Sequence, residues 1–196
     1  MHIDTKTGLL DCARYVPSPN HNERPHADDM DLIVIHNISL PPNEFGTPWI
    51  DALFTNQLPK DKHPFFAEIH HLRVSSHLLI RRTGEIVQYV PFHLRAWHAG
   101  ISAYQGREIC NDFSIGIEME GTDYQPFTEA QYQQLETVIH CLLKQYPTLN
   151  KQHITGHEQI APNRKTDPGK HFDWRRLGNA LRADLPANAN IKPTKV

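Results

Sequence analysis

The stretch GHEQIAPNRKTDPG, residues 156–169, gathers a histidine, two carboxylates and two cations between bracketing glycines. It holds two prolines and no apolar period, so it reads as a loop. His157 and Asp167 lie ten residues apart in it. A loop of that length can fold back and bring both to one ion. Zinc favours imidazole, thiolate and carboxylate, and its catalytic sites commonly combine three protein ligands with a water. His36, at the end of the apolar run LIVIH, is the best third ligand. The helical HExxH arrangement is excluded, because His157-Glu158 is followed by Gln159, Ile160 and Ala161. On spacing alone the bland readings stand beside this one. His36 could be a core histidine bonded to backbone, and Asp167-Pro168-Gly169 an ordinary turn.

Glu118 is a second oddity. In FSIGIEMEG, residues 113–121, Ile115, Ile117 and Met119 alternate with Gly116, Glu118 and Glu120. A carboxylate buried in a central strand needs a cation, a metal-associated water or solvent. If its face borders the metal, Glu118 is a general base. If the strand is an edge, Glu118 is merely solvated. Gly116 beside it leaves room for a ligand to approach the sheet. Lys165, two residues before Asp167, has the charge to stabilise an oxyanion, or is a surface lysine. Arg73, Arg81, Arg82, Arg107 and Arg164 offer bidentate forks for substrate carboxylates, or stay solvated. Trp97, in the Gly-containing loop AWHAG, can stack on a sugar ring or anchor the loop. Glu136 and His140, one helical turn apart, read as an exposed pair rather than as ligands.

Elements must hold these groups in place. LIVIH, residues 32–36, predicts a buried strand. Thr47 is placed as N-cap and Pro48 as first residue of a helix over WIDALF. Residues 59–64, with two prolines, predict a loop. SSHLLIRRTGEIVQYVP predicts two strands joined at Thr83-Gly84, and RAWHAGISAYQGREICND an ordered loop. The clearest helix is TEAQYQQLETVIHCLLKQY, residues 128–146. Thr128 and Gln131 make a capping-box pattern, and Tyr132, Leu135, Ile139, Leu142, Leu143 and Tyr146 share a face. A last helix starts near Asp173 with Trp174, Leu177, Leu181 and Leu185 as its stripe. Residues 1–30 predict an irregular arm, and 187–196 a frayed tail. Strands interleaved with helices imply one α/β domain with a central mixed sheet flanked by helices.

Composition narrows the function classes. A chain of 196 residues supports a real core. Twenty Lys+Arg against 22 Asp+Glu leave no basic field to grip nucleic acid. No apolar run approaches the roughly 20 residues needed to span a bilayer. MHIDTKTGLLDC lacks the basic head and apolar core of a signal peptide, so a cytoplasmic location is expected. Three widely separated cysteines make neither a disulfide framework nor a CxxC pair.

Taken together, eight ordered blocks resemble one family. They are VIHNISLPPNEFG, WIDALF, HPFFAEI, HLRVSSHLLIRRTGEIVQYVPF, RAWHAG, CNDFSIGIEMEGTD, AQYQQL and TGHEQIAPNRKTDPG with FDW, running from about residue 32 to 174. The chain resembles the zinc N-acetylmuramoyl-L-alanine amidases, relatives of the peptidoglycan-recognition proteins and phage amidases. Within them it is most similar to the cytoplasmic branch that acts on 1,6-anhydro-muropeptides. The resemblance implies a zinc amidase domain over residues 31–186. It implies Zn²⁺ on His36, His157 and Asp167, with Glu118 rather than Glu120 as catalytic glutamate and Lys165 beside them. It implies Asn37, Arg73 and Trp97 as muropeptide contacts. Ile109 stands where close relatives are expected to carry a basic residue, which leaves Arg107 as the nearest cation for the peptide's carboxylate. The substrate implied is a muropeptide, with no membrane and no obligate protein partner, in peptidoglycan recycling and its link to β-lactamase induction. Three other readings stay open: an amidase on intact peptidoglycan, a non-catalytic peptidoglycan-binding module, and a structural zinc protein.

Overall fold

The computed structural model describes residues 1–183. The first thirty residues carry four short strands: β1 (Ile3–Asp4), β2 (Leu9–Leu10), β3 (Arg14–Tyr15) and β4 (His21–Glu23). Then come β5 (Leu32–Ile38), α1 (Trp49–Phe54), α2 (Pro64–Ile69), β6 (Leu78–Ile80), β7 (Ile86–Gln88) and β8 (Leu94–Ala96). The chain continues through β9 (Ala103–Tyr104), β10 (Arg107–Glu108), a 3₁₀ turn at Cys110–Asp112 and β11 (Ser114–Glu120). It ends with α3 (Glu129–Gln145), β12 (Ile154–Gly156), α4 (His157–Ile160) and α5 (Trp174–Ala183).

Six strands form the main sheet in the order β12-β5-β11-β6-β7-β3. Only the β6–β7 hairpin is antiparallel; β12, β5, β11 and β6 run parallel. The mixed sheet expected from the interleaved pattern is therefore present. A fully buried parallel strand needs apolar residues on both faces. LIVI of β5 satisfies this outright, and all seven residues of β11 are buried.

The alternation of β11 sorts two cores. Ile115, Ile117 and Met119 join Ile33, Ile35, Leu78 and Ile80 against Leu135, Val138, Ile139 and Leu142 of α3 and Leu177 and Leu181 of α5. Each such fully buried side chain contributes about 1.5–3 kcal/mol. The opposite face is split. Leu79 and Val87 pack on Leu53, Phe54 and Phe66 of α1 and α2, whereas Leu32 and Val34 pack on Ala99, Cys110, Phe113 and Ile160. Ser114, Gly116, Glu118 and Glu120 alternate onto this second face.

The Thr128/Gln131 capping box forms, and the hairpin turns at Thr83-Gly84. Four expectations change. Thr47 does not cap α1, because its hydroxyl donates to the Leu40 carbonyl and the N-cap is Pro48. Pro64 is not loop but the first residue of α2, capped by the His63 ring, which accepts from the Phe65 N–H. The arm is not irregular: β3 joins the main sheet, and Ile3, Leu10 and Met30 are in the core. Its Arg24 is buried and donates to the carbonyls of Phe92, Asn111, Asp112 and Ser114. RAWHAGISAYQGREICND contains β8, which pairs with β4 of the arm, and the β9–β10 hairpin. Leu185 and the tail 187–196 lie outside the described residues.

Candidate metal centre and active site

Three strand ends build the site. In the parallel β5–β11 register His36 sits beside Glu118, on the same face. In the β12–β5 register Gly156 sits beside Ile35, so His157 follows at the level of His36 as the first residue of α4. Carboxyl ends of parallel strands are where ligand sites of open α/β sheets occur. Asp167 returns by loop closure: the Glu158 N–H donates to the Asp167 carbonyl, and Asn37 Nδ2 donates to the Pro168 carbonyl and Asp123 Oδ1. Gly169 is obligatory there, with φ +82° and an ideal Cβ 2.4 Å from Asp123 Cα.

The closure puts three atoms on one point. His36 Nδ1 lies 3.0 Å from His157 Nδ1 and 3.1 Å from Asp167 Oδ2, and His157 Nδ1 lies 3.0 Å from the same oxygen. The other ring nitrogens are engaged. His157 Nε2 faces the Ala99 carbonyl at 3.0 Å, an acceptor only, so when Nδ1 holds a cation the proton sits on Nε2. His36 Nε2 faces His98 Nδ1 at 2.9 Å. Burial lowers the His36 pKa to about 4, so the ring is neutral. Burial alone would raise Asp167, but the two histidines outweigh it and hold the carboxyl well below the usual range. Asp167 Oδ2, His36 Nδ1 and His157 Nδ1 thus converge on one point. That donor set calls for a cation, and His36, His157 and Asp167 are the residues among those described that can hold a metal ion together. The spacing is close to the about 3.3 Å edge of a tetrahedron with 2.0–2.1 Å bonds.

Glu118 shares a cavity of about 230 Å³ with the triad, Lys165, Trp97, Leu53, Phe54, Leu72 and Val74. Its Oε2 is buried with no hydrogen-bond partner. Burial first, then Asp167, push its pKa well above the usual carboxylate value, while Lys165 opposes them. Lys165 is exposed and lines both this cavity and a neighbouring polar groove with Asn37, Asp123 and Tyr124.

The remaining predicted residues divide. Trp97 lines the cavity while its Nε1 donates to Asn22 Oδ1, so it both walls the site and anchors its loop. Asn37 borders the cavity, but its amide holds the loop that carries Asp167. Arg73 is exposed and donates to the His71 and Leu72 carbonyls of its own turn. Arg107 is not brought to the site: it pairs with Asp29 and Asp31 and covers the Phe113 ring at 3.8 Å. Glu158 contributes its backbone to the loop; its side chain accepts from Gln159. The room beside Gly116 is filled by the His98 ring, which a Cβ there would meet at 2.4 Å. His98, Asn111 and Ser114 were not singled out in the sequence. His98 stands next to Trp97 and Asn111 in the block CND, but no period links them, and only the fold joins them to His36.

The model of the N-acetylmuramoyl-L-alanine amidase family matches residues 26–170. The chain is 64% identical over 170 residues to the 1,6-anhydro-N-acetylmuramyl-L-alanine amidase AmpD of Escherichia coli (strain K12), covering 87% of this chain and 92% of that one. It is 52% identical over 179 residues to AmpD of Haemophilus influenzae, covering 91% and 97%. The crystal structure of a selenomethionine AmpD derivative matches with a TM-score of 0.88 at 60% identity, over 92% of this chain and 99% of that one. A complex of the amidase AmiD from Escherichia coli with anhydro-N-acetylmuramic acid-L-Ala-D-γ-Glu-L-Lys matches with a TM-score of 0.58 at 28% identity, over 91% and 65%.

Proposed function

The chain belongs to the N-acetylmuramoyl-L-alanine amidase family, and on that premise we propose that it hydrolyses the amide joining the lactyl group of 1,6-anhydro-N-acetylmuramic acid to L-alanine of the stem peptide. The observation that carries the reading is the meeting of three lone-pair donors, His36, His157 and Asp167, with the unpartnered Glu118 carboxylate in one cavity. The high identity to proteins named for this reaction supports the substrate.

His36, His157 and Asp167 hold Zn²⁺, which when bound polarises a carbonyl and lowers the pKa of water. Glu118 takes the proton of the attacking water at Oε2, where no protein donor competes. Its raised proton affinity suits a base that keeps the proton and then delivers it to the leaving L-alanine amine. Lys165, reaching the cavity from its exposed loop, donates to the oxyanion that develops on the lactyl carbonyl. Trp97, Leu53, Phe54, Leu72 and Val74 wall the cavity and limit water. No helix among the described residues is long and apolar enough to cross a membrane. Likeness to AmpD supports a cytoplasmic role in recycling.

Mass spectrometry of anhydromuropeptide incubated with the protein, with and without a chelator and beside intact sacculi, tests this. Release of the stem peptide from the anhydro sugar, abolished by the chelator, is the expected result. An intact substrate, or faster release from sacculi, would overturn it.

A further inference from the structure

Behind the triad runs a chain of hydrogen bonds whose direction can be worked out from its far end. The Cys110 carbonyl only accepts, so the Ser114 hydroxyl, 2.6 Å away, donates to it. The Ser114 oxygen is then left to accept from His98 Nε2 at 3.2 Å. His98 carries its proton there and presents a lone pair at Nδ1. That nitrogen faces His36 Nε2 at 2.9 Å and accepts from it. With a cation held at Nδ1, the atom that faces His157 and Asp167, His36 is thereby protonated at Nε2.

One amide fixes the whole assembly. Asn111 Oδ1 accepts from the backbone N–H of His98 at 3.1 Å and of Ala99 at 2.8 Å. The first bond sets the ring that orients His36. The second sets the Ala99 carbonyl that orients His157. Gly116 completes the cradle, since the His98 ring lies where any Cβ would be.

We propose that His98 is a positioning residue for the metal centre, fixing the tautomer and direction of His36 through Ser114, while Asn111 holds the partners of both ligating histidines. The proposal rests on reading His36, His157 and Asp167 as a metal site. Outer partners of ligating histidines commonly change metal affinity about 10- to 100-fold.

Zn²⁺ affinity of the full chain, measured by competition with a chromogenic chelator, is the first readout. His98→Phe keeps a ring on Gly116 but removes the acceptor, and should bind Zn²⁺ about 10- to 100-fold more weakly. His98→Asn places Oδ1 where Nδ1 was and should recover most of that loss. Equal affinity of His98→Phe and wild type, or no recovery in His98→Asn, would overturn the proposal. The second readout is the His36 Nε2 proton of the Zn²⁺-loaded chain, followed by its ¹H shift and its exchange with water. In the wild type it is expected downfield and slow to exchange, held by His98 Nδ1; in Ser114→Ala, which also serves if His98→Phe fails to fold, it should move upfield and exchange faster. The same shift and exchange in both would overturn the proposal. A wild type that binds no Zn²⁺ overturns the metal reading and this proposal with it, whereas equal Zn²⁺ binding by wild type and His98→Phe overturns the proposal alone.

Discussion

Glu118 and Glu120 stand two residues apart on one strand and one face, and both are buried, at 8% and 1% exposure. Their surroundings are opposite. Glu120 accepts from Arg81 Nη1 and the Gly46 N–H at one oxygen and from the Arg82 N–H at the other. Glu118 has an oxygen with no partner at all. A buried carboxylate with a full set of donors is structural, because its charge is neutralised and its lone pairs are used. A buried carboxylate without them costs stability and is retained where its proton affinity is needed. The contrast singles out Glu118 by physics, where the sequence offers two glutamates in the same alternation.

The largest effect that sharpens the contrast is on turnover. Glu118→Ala should lower kcat by about 10²–10⁴-fold, with zinc content unchanged and a melting temperature no lower than wild type. A clear loss of stability would place Glu118 in the same class as Glu120. Glu120→Ala should do the reverse. Arg81 keeps Asp51 and Glu85, but the lost charged hydrogen bonds cost about 1.5–3 kcal/mol, or roughly 3–12 °C in Tm for a chain of this size, while turnover of the folded fraction stays near wild type. A cold, stable but inactive Glu120→Ala would break the distinction. Lys165→Met should lower kcat by about 10²-fold with little change in KM or Tm; an effect confined to KM would make it a binding residue only.

Smaller effects test the periphery. His77 is held neutral in the fold by burial, with Arg24 close by, so its pKa lies well below the ordinary value. The unfolded chain takes up that proton below about pH 6.5, so the associated stability is present above that pH and is lost as pH falls. Urea unfolding between pH 5 and 7 should show a slope up to about 1.4 kcal/mol per pH unit steeper in wild type than in His77→Asn. Arg107→Ala should change stability by no more than about 1 kcal/mol, as half-exposed ion pairs do, and leave KM unaltered. A raised KM would return Arg107 to the substrate side.

Much of this was legible in the residues, for stated physical reasons. LIVIH, the FSIGIEMEG alternation and the capping box of α3 are local signals, and each gave its element. The cluster of His36, His157 and Asp167 was legible only as a possibility from spacing. The resemblance to the amidases made it specific, and the fold brought the three together. What stayed hidden depends on tertiary contact. The arm looked irregular because strands of two or three residues carry no period, and β3 gains its place only from β7. Arg107 looked free because Asp29 and Asp31 are distant in sequence. His98 looked like any loop histidine until Gly116, Ser114 and His36 surrounded it.

The most direct test of the account is the rate of anhydromuropeptide cleavage by Glu118→Gln, measured at zinc occupancy equal to wild type. Glutamine keeps the shape and removes the base. The account predicts a fall of about 10²–10⁴-fold with metal and fold intact. Cleavage near the wild-type rate would contradict it and remove Glu118 from the chemistry.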